Sequence, residues 1–424
     1  MRDDGIATIK AREILDSKGR PMVEVDVWTT GGKMGRAASP CGTSVGRHEA
    51  FVLRDGGRRF GGLGVQQAVR NVTETISPAL FGKSVFDQRA IDLLMIELDG
   101  TSNKSRLGAN TIYSVSVAVA RAASNVLGLP LYRYLGGIGV HLVPVPMFNM
   151  VNGGPYSHGH AEFQEFLLVP GCAKSYSEAL RMGVEVFYVL GATIKKRYGQ
   201  EGFRLGASAG YAAPASEPAE IIETLLEATE QAGYRGLFKV GLDCAASHFY
   251  NEEKGFYRFK EREIRRDEMI QYLEGLVESY PLFYIEDPLQ EDDFEGHSEI
   301  TKRLKILIVG DDLYVTSLQR LKKGTSMGAG NGMILKPNMV GTLTEALETA
   351  RYAKEHGYCV IPSCRGGGSV DDPIPEVAVA INAPLMKVGA PQTGERTAYQ
   401  NQLLRIEEEL GEGVSFNIPD FLKT

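Results

Sequence analysis

The stretch 282–312, LFYIEDPLQEDDFEGHSEITKRLKILIVGDD, decides the architecture. Two short apolar runs, LFYIED and ILIVGDD, flank a polar segment of helical length, and each run finishes on an acid, Glu286 in the first and Asp311 in the second. Short apolar runs of this kind read as buried strands, and their alternation with helical segments is the pattern of a parallel sheet. The pattern extends in both directions. FKVGLD comes before and ends on Asp243; GMILKP, CVIPS and LMKVGA follow, with Lys336 closing the first and Lys387 inside the last. VPVPMFNMV and QEFLLVPG stand close enough together to form a hairpin. Eight strand candidates with helices between most of them predict an α/β fold, a (β/α)8-type barrel over residues 141–424 that starts with a β-hairpin.

Upstream the pattern differs. IKAREILDS, PMVEVDVWT and KMGRAASPC read as three strands of an antiparallel meander, the last following a turn at Gly31-Gly32. Helical periodicity then takes over in VQQAVRNVTETI, DQRAIDLLMIEL and ANTIYSVSVAVARAASNVLG, which runs out at Gly128 and Pro130. Residues 1–140 are therefore expected to form a smaller α+β domain.

At 424 residues the chain is too long for one ordinary core, which agrees with two domains. Hydrophobic residues make up 43% and charged residues 23%, so the chain should be folded throughout. A net charge of -7 argues against a nucleic-acid surface, and a small anionic substrate would need local cations or a metal. The opening MRDDGIATIKAREI has no cationic stretch followed by an apolar run, and no apolar stretch is long enough to span a bilayer. The five cysteines, Cys41, Cys172, Cys244, Cys359 and Cys364, form no CxxC pair. The expected compartment is the cytoplasm, with reduced thiols and no membrane partner.

Side chains at the C-terminal ends of barrel strands converge on one mouth, so Asp243, Glu286 and Asp311 should meet there. A single such acid would cap a helix or pair with a lysine; three together suit a hard cation such as Mg²⁺. Lys336 and Lys387 stand at the same mouth, and a lysine beside a divalent cation and other positive groups can lose its proton readily enough to act as a general base. Two glycine-rich stretches, CGTSVGRHEA at 41–50 and CRGGGSVDD at 364–372, allow backbone N–H groups to approach a phosphate, with Arg365 as a fork for its oxygens. FGKS at 81–84 lacks the earlier glycine of a P-loop and is set aside; His158 and His160 read as a solvated loop.

These residues resemble enolase nearly end to end. AREILDSKGRPMVEVDV, LRDGG, GANTIYSVSVAVARA, VGLDCAASHFY, IEDPLQEDDFE, VGDDLYVT, LKPNMVGTL and NQLLRIEEELG all look like enolase segments. The resemblance implies that Asp243, Glu286 and Asp311 hold one Mg²⁺ and Ser44 a second. Lys336 would remove the C2 proton and Lys387 neutralise the carboxylate, with Glu165 as a further catalytic group. Gln164, Arg365, Ser44, Tyr156 and Cys364 would contact a small phosphate or phosphonate substrate. A homodimer or higher homo-oligomer is also implied.

Departures from the family pattern set a second expectation. Where enolases carry GDEGG, whose Glu helps expel the C3 hydroxyl, this chain has ASAGY, read as Ser208 and Ala209 in place of Asp and Glu. Tyr156 and Cys364 stand where enolases carry histidines, and Gly366 replaces a serine. Removal of a general acid typically costs a factor of roughly 10² to 10⁴ in rate. The expectation is thus a diverted enolase resembling carboxyphosphonoenolpyruvate synthase of phosphinate antibiotic pathways, with Cys364, Gly366, Gly367 and Gly368 opening a wider phosphate pocket. The alternatives are phosphopyruvate hydratase, converting 2-phosphoglycerate to phosphoenolpyruvate, and a non-catalytic enolase-like binding protein.

Overall fold

The computed structural model describes residues 3–42, 45–157, 161–212 and 215–422. Its first element is the expected meander: β1 (Ile6–Leu15), β2 (Pro21–Thr29) and β3 (Met34–Ala38), with β2 in the middle and both pairings antiparallel. Alternation in β2 divides its faces. Val23, Val25 and Val27 are fully buried. Glu24 and Asp26 instead meet Arg12 and Arg36, and these guanidiniums outweigh burial to hold Asp26 at about 2. The apolar side receives the Ala-rich helix Ala109–Leu127, which stops at Gly128 in the left-handed conformation. Small residues let that helix lie very close to the sheet. A Cβ on Gly35 would sit 2.1 Å from the Ala118 carbonyl oxygen and 2.2 Å from the Ala122 nitrogen.

All eight strands expected downstream are present: β4 (Val145–Asn152), β5 (Glu165–Pro170), β6 (Phe238–Asp243), β7 (Leu282–Glu286), β8 (Leu307–Gly310), β9 (Gly332–Leu335), β10 (Cys359–Pro362) and β11 (Leu385–Gly389). The first two form the hairpin, β5 runs antiparallel to β6, and β6 to β10 are parallel neighbours. Strand β11 pairs with β4, and a bridge between Ser363 and Lys387 joins it to the end of β10, so the sheet closes on itself. Val145, Met147, Leu167, Val169, Tyr284, Val309, Ile334 and Ile361 fill the interior. This is a packed barrel, not a pore.

The two parts share a core. Ile112, Val115 and Val119 of the Ala-rich helix join one apolar cluster with Leu313, Leu335 and Leu343 of the barrel. Backbone bonds add to it where Ser17 donates to Gly368 and Cys41 exchanges bonds with Gly367. No single described helix is long and apolar enough to cross a membrane; the bent pair Ala109–Leu127 and Leu131–Gly139 passes by composition, but most of its first helix is buried here.

Gly35→Ala should therefore fail in a particular way. Its methyl would meet helix backbone, which cannot rotate aside, so the loss should reach about 2 kcal/mol or more in a denaturant titration. A change under about 0.5 kcal/mol would show that the helix slides freely over β3.

Candidate active site

Strand register brings the acids together. Glu165 lies opposite Asp243, and Asp243 opposite Glu286, so the antiparallel β5 begins, and β6 and β7 end, in a row of carboxylates. Asp311 follows the last residue of β8, and Lys336 follows the last of β9 as the N-cap residue of Pro337–Val340. Lys387 enters from β11. Its ammonium lies 2.7 Å from Glu286 Oε2, 3.0 Å from Asp243 Oδ2 and 3.1 Å from Glu165 Oε2. Burial alone would lower its pKa; Asp243, Glu165 and Glu286 overturn that and hold it well above the usual lysine value. Lys336 bonds to Asp311, which likewise outweighs burial and keeps this lysine charged. Asp311 is in turn held low by Lys336 despite its burial.

Four acids surround two ammonium groups, so in this arrangement both stay protonated.

The residues present fit a divalent ion. Burial, and then Asp243, push Glu286 well above the usual carboxylate range against the pull of Lys387. Glu286 Oε1 and Asp311 Oδ1 are buried with no hydrogen-bond partner. Buried acceptors left this way cost free energy that a hard cation would recover. Oxygen atoms of Glu286, Asp287 and Asp311 lie within 4.8 Å of one another. Asp287 is nonetheless the weaker candidate, because Oδ1 accepts from the Asp311 and Leu313 amides at 3.1 and 3.4 Å and Oδ2 from the Asp312 amide at 2.8 Å. It is a clamp on the loop that carries Asp311. Asp243 instead faces the cavity and shares Lys387 with Glu286.

Strain collects at the same mouth. Ala245 and Asp287 adopt positive φ just beyond strand ends, and Val315 and Thr316 do so further along the loop that follows β8. Thr316 then accepts the Lys336 amide at 2.9 Å, which fixes the backbone at Lys336.

The other expected residues divide. Gln164 lines the cavity and donates to Asp243 at 3.3 Å; Glu165 lines it too, its Oε1 accepting from Asn149 at 2.7 Å. Cys364 lines it with a thiol raised by burial. Arg365 is buried beside Glu49 of the other glycine-rich stretch, at 3.0 Å, and its charge lowers Asp311. It ties the two loops together. Ser44, His158 and His160 lie outside the described residues, as does the side chain of Tyr156, whose backbone ends the turn Gly154–Tyr156.

Two expectations need correction. Ser208, not Ala209, lines the cavity; Ala209 has φ 70 and belongs to the apolar core, while its carbonyl accepts from Gln392. The tight turn between Gly206 and Gly210 decides which side chain faces inward. Nor do the glycines open a wider phosphate pocket. A Cβ on Gly367 would lie 2.1 Å from Arg20 Nη2, and one on Gly368 would lie 2.4 Å from the Tyr399 hydroxyl. Arg396 fills the space beside Cys364, so the cavity is only about 40 Å³. That is room for a few waters.

Family models for the enolase N-terminal domain and the enolase C-terminal TIM barrel domain match residues 6–135 and 140–424. The chain belongs to the enolase family. Proteins named enolase from Methanopyrus kandleri and Pyrococcus furiosus are each 49% identical to it, over 415 residues (97% of both chains) and 414 residues (97% of this chain and 96% of the relative). Enolase from Methanocaldococcus jannaschii is 48% identical over 406 residues, 96% of each chain. Agreement of this extent with proteins named enolase overturns the carboxyphosphonoenolpyruvate synthase expectation, along with its phosphonate chemistry and antibiotic pathway. The pocket widening that it also invoked is removed by the packing of Arg20, Tyr399 and Arg396. The chain is an enzyme of the enolase superfamily.

Sequence reasoning did not find Arg396, Asn149, Tyr284 or Asp287. Asp287 was signalled only by following Glu286; Arg396 sits on a polar helix and carried no signal.

Saturating Mg²⁺ at about 100 times its Kd should raise stability by about 2.7 kcal/mol. Glu286→Ala should abolish that rise in a melting experiment. Equal Mg²⁺ affinity in the variant, measured by calorimetry, would remove Glu286 from the ligand set.

Proposed function

We propose that this chain is a Mg²⁺-dependent phosphopyruvate hydratase that converts 2-phosphoglycerate to phosphoenolpyruvate and water. The observation that carries the reading is the placement of Lys336 and Lys387 among four strand-end carboxylates at one barrel mouth. The names of the relatives support it. Residues 1–140 would cap the barrel of residues 141–424. We further propose that the protein works in the cytoplasm as a homodimer.

Asp243, Glu286 and Asp311 would hold Mg²⁺, which when bound supplies positive charge to the substrate carboxylate and makes the adjacent C–H bond more acidic. Lys336 takes the proton from C2. Lys387 places a fixed, buried positive charge beside the carboxylate as negative charge builds there, without solvent reorganisation. The C3 hydroxyl then leaves with a proton, as water. Glu165 is the group best placed to assist, because Asn149 and Lys387 hold its two oxygens in the cavity wall. Ser208 contributes a hydroxyl, which can orient the leaving group but is a poor acid at neutral pH. The base side of the site is therefore better equipped than the acid side.

That imbalance has a measurable consequence. With 2-phosphoglycerate deuterated at C2, label should wash into solvent faster than phosphoenolpyruvate absorbance grows. Lys336→Ala should suppress both by about 10³ or more, whereas Glu165→Gln should lower product formation by roughly 10² while washout persists. A wild-type protein with Mg²⁺ that forms no phosphoenolpyruvate would end this reading.

A further inference from the structure

The turn that follows Lys336 is gripped from the N-terminal part of the chain. Inside the turn, the Lys336 carbonyl accepts the Met339 amide at 2.9 Å and the Pro337 carbonyl accepts the Gly341 amide at 3.0 Å. From outside it, the Ala50 amide donates to the Met339 carbonyl at 2.8 Å, and Asn338 Nδ2 donates to the Pro40 carbonyl at 3.4 Å. The remaining grip is a side chain. Lys104 lies across Gly341, where a Cβ would come within 2.7 Å of Lys104 Cδ and 3.1 Å of its Cε. Gly341 also has φ 101, so both its backbone and its neighbour require glycine.

Lys104 is itself held in a costly state. It is a lysine only 6% exposed, and its φ of 60 places a non-glycine residue in the left-handed region. Its loop is closed by Asp99, whose two oxygens accept the Thr101 and Leu107 amides at 3.0 and 2.6 Å. Its ammonium meets Glu345 Oε1 at 2.9 Å, while Glu345 Oε2 accepts the Thr342 hydroxyl at 2.7 Å. Thr342 follows Gly341 and caps the helix Leu343–Glu355, so the far end of the lysine is pinned where the turn hands over to that helix. A buried ammonium cannot readily leave its anion, and the pair therefore fixes the stem between them. Lys104 does not line the catalytic cavity. It borders a separate cleft of about 350 Å³ together with Ala50, Met339, Val340 and Glu345. On that side the turn faces open space, and the lysine stem is what packs against it.

We infer that Lys104 is a positioning residue for Lys336: its stem, pinned by Glu345, seats residues 336–341 and so fixes where the Lys336 ammonium stands at the barrel mouth. This rests on the phosphopyruvate hydratase reading for the proton that Lys336 removes, but not for the seating itself. A base must stand close to the proton it takes, and a displacement of about 1 Å can cost roughly 10² in rate. Thr316 fixes the start of the turn through the Lys336 amide; Lys104 fixes its end at Gly341.

Two measurements on the full-length protein in Mg²⁺ buffer test this, one of them independent of turnover. In Lys104→Ala, C2 washout at saturating 2-phosphoglycerate should fall about tenfold or more, while KM moves by less than about threefold. Without substrate, amide hydrogen exchange at Met339 and Gly341 should quicken by about tenfold or more in the same variant. The double variant Lys104→Met, Glu345→Gln keeps the stem and removes both charges together, so it should restore washout to within about threefold of wild type. Unchanged washout in a folded Lys104→Ala protein, or unchanged exchange at the turn, would overturn the inference. Should that variant fail to fold, Glu345→Gln takes its place: unpinning the stem should quicken the same exchange and slow washout by about threefold or more, and no change in either would overturn the inference equally. A wild-type protein that shows no washout would refute the hydratase reading, and exchange at the turn would then decide the seating by itself.

Discussion

A buried ammonium needs several anions around it, and the Lys387 cluster meets that need with acids from three different strands. Glu165 comes from β5, Asp243 from β6 and Glu286 from β7, while the lysine itself stands on β11 across the closing seam. A slip of one residue between any two of these strands would turn a carboxylate away and leave charge buried without compensation. Barrel register and catalytic electrostatics are thus one constraint. The hydroxyl of Tyr284, two residues before Glu286, donates to that carboxylate and narrows its freedom further.

The N-terminal part is held to the barrel by groups that also shape the site. Asp16 accepts the amides of Lys18 and Arg20 at 2.8 Å and pairs with the Arg20 guanidinium, which reaches the carbonyls of Cys41 and Gly42. Glu49 meets Arg365 in a buried ion pair. The two glycine-rich stretches are therefore joined across the domain boundary, and glycine at 367 is required because Arg20 and Asp16 occupy the place of a side chain. Loss of this contact would disturb the loop that presents Cys364 and Gly366 to the cavity.

The departures from the family pattern take a different meaning in three dimensions. Read along the chain, Cys364 and the following glycines suggest added space, and the missing acid suggests a different reaction. In the fold the space is filled by Arg20, Tyr399 and Arg396, and the inward-facing residue of the Gly206–Gly210 turn is Ser208.

Local pattern alone determined the meander, the eight barrel strands and the positions of Asp243, Glu286, Asp311, Lys336 and Lys387 at strand ends. Apolar runs must be buried, and the C-terminal ends of parallel barrel strands must share one mouth, so chain order and periodicity suffice for that much. Tertiary structure decided what depends on contact between distant residues. It set the choice between Ser208 and Ala209, because a tight turn displaces neighbours to opposite sides. It made Asp287 a clamp on the Asp311 loop, because three amides of that loop converge on its carboxylate. It also brought Arg396 from an unremarked polar helix into the cavity, because Gly389 leaves the passage that its side chain needs.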